Sequence, residues 1–186
     1  MPEADKRTRL VESAVKLVYE QGFEETSLAD IAKDAGVPLG NVYYYFKTKE
    51  ELGEALIDQL AAAQDAAFAQ FEKKSDPRAR IDAVLQTYLK VRDAVARSGC
   101  QLGSLSTELH KKGGDLAGKS TQLYDKLLTW LAAQFRLLGK EDAVARDLAA
   151  HLVSSMEGAS LLTHTFNDDR YLTREAAVLR AWLRSL

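Results

Sequence analysis

An all-α fold is the class this chain predicts, and three observations predict it. Its 186 residues hold only three prolines, and no Asn-Gly pair that would close a β-hairpin. No run of alternating β-branched residues reads as a strand. Apolar residues recur instead at three- and four-residue spacing, the period of one helix face. About nine helices are expected, a short group at the N-terminus followed by a longer helical body.

Leu10, Ala14, Leu17 and Val18 make the first stripe, and Gly22 follows as the residue that ends the helix. Ser27 with Asp30 three residues on opens a second short helix in capping-box fashion, and Gly36 closes it. A third covers about 39 to 45. Thr48-Lys49-Glu50-Glu51 is a second capping box. The helix it opens carries Leu52, Ala55, Leu56, Leu60, Ala63, Ala67, Phe68 and Phe71 on one side, long enough to join head to body. The body restarts at Asp76-Pro77, an N-cap with proline at the first helical position. One helix is expected through Ile81, Leu85, Tyr88 and Val91 towards Gly99, then one from about 101 to 111 that KKGGD breaks. Ser120 to Leu138, about 141 to 165, and a last helix with Thr173 as N-cap complete the series.

The apolar share of 46% and charged share of 28% are those of a soluble globular protein. A net charge of −2 gives no pointer to nucleic acid or membrane for the chain as a whole. The single cysteine, Cys100, permits no internal disulfide and fits a reducing compartment. The amphipathic, charged N-terminus does not read as a cleavable signal, and no segment is apolar enough to span a bilayer. A cytoplasmic location and no membrane partner are therefore expected. No phosphate loop, nucleophile elbow or close carboxylate pair suggests an enzyme. Of the histidines, His110, His151 and His164, the last two share a predicted helix with Glu157. Gaps of six and seven residues set these roughly 9 to 10 Å apart, too far to clasp one ion. No metal and no cofactor are expected.

Ala32, Gly36 and Val42 fall at the offsets of a helix-turn-helix. A small residue sits where the second helix crosses, a glycine takes the left-handed turn, and a branched residue closes the wedge. A plain helical hairpin would use the same residues, and the triplet alone leaves both open. The tyrosines weigh on that choice. With Val42 and Phe46 facing inward, Tyr43 and Tyr44 swing onto the exposed side of the second helix. A phenol there can bond a phosphate with its hydroxyl while its ring packs on sugar or a thymine methyl. Lys47 and Lys49 stand at a helix start, where a phosphate would offset their conflict with the helix dipole. Thr26, Ser27 and Thr48 offer hydroxyls nearby.

The run TSLADIAKDAGVPLGNVYYYFKTKEEL resembles the N-terminal domain of the TetR family of bacterial transcriptional repressors. The resemblance covers residues 7 to about 56. It implies a homodimer whose two heads read a palindromic double-stranded DNA operator. Residues 1–47 would be the three-helix DNA-binding domain and 48–186 the ligand-binding and dimerisation domain. Family contacts to DNA carry over onto Thr26, Ser27, Gly40, Asn41, Tyr43, Tyr44 and Lys49, with Tyr45 where histidine is commoner. Pro38 and Leu39 depart from the pattern, and Pro38 gives up a hydroxyl cap. Residues 1 to 52 hold seven Lys and Arg against ten Asp and Glu, so few phosphate contacts and a shallow salt dependence are expected.

In the body, Leu148 to Leu162 carries one formal charge, Glu157, and is expected to be buried on two sides. Leu148, Leu152, Ser155, Ala159 and Leu162, with Val178, Leu179, Trp182 and Leu183 of the last helix, could form half of a four-helix dimer interface or a monomer's covered core. The family resemblance favours the dimer. GCQLGSLSTEL (99 to 109) is similar to a Gly-Cys-x-x-Gly segment in one TetR branch, which includes flavonoid-, drug- and electrophile-responsive repressors. Cys100 is then either a small buried hydrophobe lining a pocket or a sensing thiolate at a helix start. Candidates to line an effector pocket are Cys100, Leu102, Leu105, Tyr124, Trp130, Phe135, Met156 and His164. The leading expectation is a repressor released by a small, largely apolar effector; the alternative is a thiol-based redox or electrophile sensor using Cys100.

Overall fold

The computed structural model describes residues 3–186, and every regular element among them is an α-helix. In order these are α1 (Glu3–Gln21), α2 (Leu28–Asp34), α3 (Leu39–Tyr45), α4 (Lys49–Phe71), α5 (Pro77–Lys90), α6 (Arg92–Ser98), α7 (Gln101–Lys112), α8 (Asp115–Leu137), α9 (Asp142–Phe166) and α10 (Arg170–Ser185). The expected all-α class holds. Ten segments replace nine rods because the helix foreseen from 77 to 99 breaks at Val91, whose φ of −103° and ψ of 10° leave the helical region.

Local signals account for most helix starts. Ser27 accepts the Asp30 N–H while Asp30 accepts the Ser27 N–H, the reciprocal box expected for α2. At α4, Thr48 Oγ1 accepts the Glu51 N–H, but Glu51 reaches one residue further back, to the Lys47 N–H. Asp76 caps α5 through the Arg78 N–H, with Pro77 behind it. Two starts differ from expectation. Helix α8 begins at Asp115, not Ser120, since Gly113 and Gly114, both at positive φ, complete the break at once. Helix α10 begins at Arg170, not Thr173, because Asp168 accepts the Arg170 N–H and so caps the turn earlier.

The chain divides into two compact units, Met1–Gln64 with Ser104–Leu123, and Asp65–Gly103 with Tyr124–Leu186. In the first, Leu10, Val11, Ala14, Ile31, Val42, Phe46, Leu52 and Leu56 are buried. A Cβ on Gly53 would stand 2.9 Å from both Leu116 and Phe23, so any larger residue would force one of these side chains to shift. The void beside these residues is about 10 Å³, no more than one water.

In the second unit α10 packs on α9 and α5, and α9 packs on α6. The core joins Ile81, Leu85, Leu131, Phe135, Leu152, Met156, Leu172 and Leu179. Phe68 stacks on Trp130 with ring centroids 4.6 Å apart. No helix among the described residues is long and apolar enough to cross a membrane.

Candidate nucleic-acid interface and effector site

The candidate interface lies in the first unit and is built from the turn outward. Gly36 has φ of +60°, a conformation a residue with a Cβ rarely adopts, and a Cβ there would also meet Arg9 at 2.7 Å. The Val37 N–H closes the turn on the Ala32 carbonyl at 2.9 Å. Helix α1 braces α2 from behind. Ser13 and Lys16 both donate to Asp34, at 2.7 and 2.6 Å, and Arg9 donates to the Ala35 carbonyl. These bonds hold the Asp34 carboxyl below its ordinary range, Lys16 being the larger influence. With Ile31, Ala32 and Val42 buried, α2 and α3 form a helix-turn-helix on a fixed frame.

Helix α3 then presents Gly40, Tyr43 and Tyr44 to solvent, with Tyr43 48% and Tyr44 68% exposed. Asn41 and Tyr45 are half-buried, and Tyr45 meets Tyr44 edge to face at 5.0 Å. Outside its own helix backbone, nothing among the described residues lies within 4 Å of a Cβ built on Gly40. Gly40 lies in the first turn of α3, and no crowding by other elements requires a glycine there. Lys49 donates to the Glu24 carbonyl at 2.8 Å and sits 4.8 Å from the Phe23 ring centroid. It is half-buried, with donors to spare. Lys47, exposed, donates to the Tyr43 carbonyl. Ser27 is exposed, but its hydroxyl is committed to Asp30. Thr26 departs from expectation. It is fully buried, donates to the Gly22 carbonyl at 2.6 Å and accepts from Gln21, so its hydroxyl supports the α1–α2 turn instead of facing outward.

Within the second unit, the expected pocket residues do not form one lining. Phe135 and Met156 are fully buried core, with Phe135 against Trp182. Trp130 is tied to Phe68 and donates its indole N–H to Glu72 at 2.8 Å. His164 is exposed, its Nδ1 3.1 Å from the Ala96 carbonyl oxygen. Leu102 is half-buried, and Leu105 is buried in the other unit. Cys100 and Tyr124 do come together, around Glu157, which stands out in the sequence as a lone charge and as a rejected metal ligand but not as a pocket residue. Glu157 Oε1 accepts from the Tyr88 hydroxyl at 3.1 Å and from the Cys100 thiol at 3.2 Å. A Cβ on Gly103 would stand 2.7 Å from Glu157 Oε2 and 3.4 Å from the Tyr124 hydroxyl. Burial and the Glu157 charge push the Cys100 thiol up to about 12, against the downward pull of the Gly103 and Leu102 N–H groups. Burial likewise raises the Tyr88 and Tyr124 phenols.

The dimer candidates also separate. Leu152, Ala159, Leu179 and Leu183 are buried in the chain's own core, and Leu148, Ser155 and Trp182 are half-buried. Only Leu162 and Val178 are exposed, 42% and 59%. Leu161, Phe166 and Tyr171, which periodicity did not single out, are exposed beside them in sequence. Helix α9 is apolar on nearly every side, so its period cannot distinguish inward from outward.

Residues 10–56 match the model for bacterial regulatory proteins of the tetR family, and residues 77–178 match that for the C-terminal domain of LmrA/YxaF-like transcriptional regulators. The HTH-type transcriptional regulator TtgR of Pseudomonas putida is 39% identical over 75 residues, 39% of this chain but only 36% of TtgR. LmrA of Bacillus subtilis is 25% identical over 169 residues, 89% of each chain. The HTH-type transcriptional repressor NemR of Escherichia coli is 27% identical over 124 residues, 67% of this chain and 62% of NemR. A TetR transcriptional regulator from Legionella pneumophila shares the fold at a TM-score of 0.84 and 20% identity, over 95% of this chain and 94% of that one.

Proposed function

Since the chain belongs to the TetR family of bacterial transcriptional regulators, we propose that it binds a palindromic DNA operator as a homodimer and releases it when a small, largely apolar effector enters the body. Residues 1–47 are then the DNA-binding domain and 48–186 the effector and dimerisation domain. One observation carries the reading: a glycine and two tyrosines stand exposed on the second helix of a braced helix-turn-helix, and no other element among the described residues crowds Gly40. Gly40 would let the duplex backbone approach closely, while Tyr43 and Tyr44 supply hydroxyls for phosphate and rings for sugar or thymine methyl. Asn41, Tyr45, Lys47 and Lys49 flank them.

Pairing of two chains would cover the apolar side chains that α9 and α10 expose, Leu161, Leu162 and Val178 foremost. An effector bound preferentially by one arrangement of the heads shifts the population towards it, which is all that release requires. A thiol-sensing mechanism draws no support from Cys100, whose surroundings hold it protonated.

The test is retardation of DNA from the gene's own upstream region by the purified protein, with sedimentation to count chains. A dimer that shifts this DNA, and a Tyr43→Ala variant of unchanged helicity that no longer does, is the expected result. Monomers at micromolar concentration that shift no such fragment would end the proposal.

A further inference from the structure

We propose that Leu39 is a specificity-determining residue that covers the 5-methyl group of thymine, so that the operator is recognised through its thymine methyls. The inference rests on the operator reading and sharpens it by naming the base that α3 recognises. Helix α3 holds no Asp, Glu, Lys, Arg or His in its seven residues, whereas α2, of the same length, holds Asp30, Lys33 and Asp34. The exposed residues of α3 are Leu39, Gly40, Tyr43 and Tyr44. Leu39 is 42% exposed and stands one turn before Tyr43, so the two share a face. A solitary surface leucine is ordinary. This one extends an uncharged strip along the helix proposed to meet DNA. Its backbone is fixed, since the Asn41 N–H donates to the Pro38 carbonyl at 2.8 Å and closes the turn around it.

The chemistry of the major groove selects the base. Guanine presents two acceptors that arginine or lysine grips, and α3 has neither. Thymine presents a methyl group, which an apolar side chain covers. The leading turn of a recognition helix is the part that meets base edges, and Leu39 lies in it. Open space at Gly40 lets the helix settle close enough for Leu39 to reach them. Residues 1–52 carry seven Lys and Arg against ten Asp and Glu, so attraction to phosphate is weak. Burial of apolar surface then has more of the affinity to supply.

Deoxyuridine lacks only that methyl and keeps the pairing and hydrogen-bonding edges of thymidine. The experiment prepares the gene's own upstream fragment twice, with thymine or with uracil throughout, and titrates each with the full chain at one salt concentration. The thymine fragment should bind about tenfold tighter or more, the effect of one buried methyl in each of two heads. Leu39→Ser, with helicity checked by circular dichroism, should reduce that ratio by about threefold or more, as Tyr43 and Tyr44 keep part of it. Leu39→Met, still apolar, should preserve it. Uracil also alters the shape and stiffness of the duplex, but that effect would persist in the serine variant. Equal affinity of the wild type for both fragments would overturn the inference, keep the regulator and require no variant to fold. A ratio that Leu39→Ser leaves unchanged would overturn the role of Leu39. A wild type that retards neither fragment would remove the operator reading, and this inference with it.

Discussion

Glu108 of α7 accepts the main-chain N–H of Phe23, 85 residues earlier in the chain, at 2.8 Å. Its other oxygen takes the Glu24 N–H at 2.7 Å, so one carboxylate satisfies both donors of the turn after α1. Gly22, at φ of +92°, stands so close that a Cβ there would lie 3.2 Å from the same carboxylate. Lys112, one turn further along α7, adds an ion pair to Glu24 at 2.7 Å. This clasp ties α7 to the helices that carry the candidate DNA interface, all within one compact unit.

Truncating the clasp should therefore loosen that unit. Glu108→Ala removes two charge-assisted bonds from partly exposed donors that water can replace in part, a loss of about 1 to 2 kcal/mol. Glu108→Gln keeps an acceptor and should cost less. Urea unfolding of the three proteins checks the order; an alanine variant as stable as the wild type would leave the clasp without energetic weight.

Gly40 makes a prediction of opposite sign for stability and binding. Open space surrounds its missing Cβ, so Gly40→Ala should stabilise the folded chain by up to about 0.5 kcal/mol, less than the helix-interior difference because residue 40 lies in the first turn of α3. If a duplex backbone packs there, the same methyl should weaken operator binding by tenfold or more, on the order of 1.4 kcal/mol. Thermal melting and DNA titration together decide it. A variant that is more stable and binds as well as before would mean that no duplex approaches this position.

The frame of this interface was legible because its signals are local. Ser27 with Asp30, Gly36, and Val42 act within about one helical turn of themselves, and each is found in its expected role. What escaped the sequence depends on distant partners. Thr26 looks like a hydroxyl free to meet phosphate until the Gly22 carbonyl claims it. Glu157 could be seen as one charge in an apolar helix, but its neighbours Tyr88, Cys100 and Gly103 come from other elements. The Val91 break interrupts an apolar stripe that continues through it, so periodicity carried no sign of it.

Acid should act on the brace of the helix-turn-helix. Asp34 titrates below its ordinary value in the folded chain, chiefly because Lys16 and then Ser13 bond its carboxylate. The unfolded chain then takes up its proton first, so the stabilisation is complete above the ordinary carboxylate range. It is lost as pH falls below about 4 and through the lower folded value. Asp34→Asn should flatten this part of the acid limb, while leaving stability between pH 6 and 8 lower by a constant amount. Melting temperatures against pH test it, and parallel acid limbs would show that another carboxylate dominates.

Cys100 should be slow to react. Its thiol is pushed up to about 12 by burial and by the Glu157 charge, where a free cysteine titrates near 9.0. At pH 8 that leaves on the order of a thousandfold less thiolate, and the thiolate is the species that attacks. Iodoacetamide should accordingly label the native protein far more slowly than the urea-unfolded chain. Glu157→Gln removes one of the two upward influences and should speed native labelling, though burial still retards it. The sign for stability is the reverse of Asp34: folding keeps the proton on, so this contribution is full below the unfolded thiol's pKa and fades as pH climbs through the folded one. Native labelling as fast as in urea would show an ionised, accessible thiol, and would restore the sensing mechanism that the geometry disfavours.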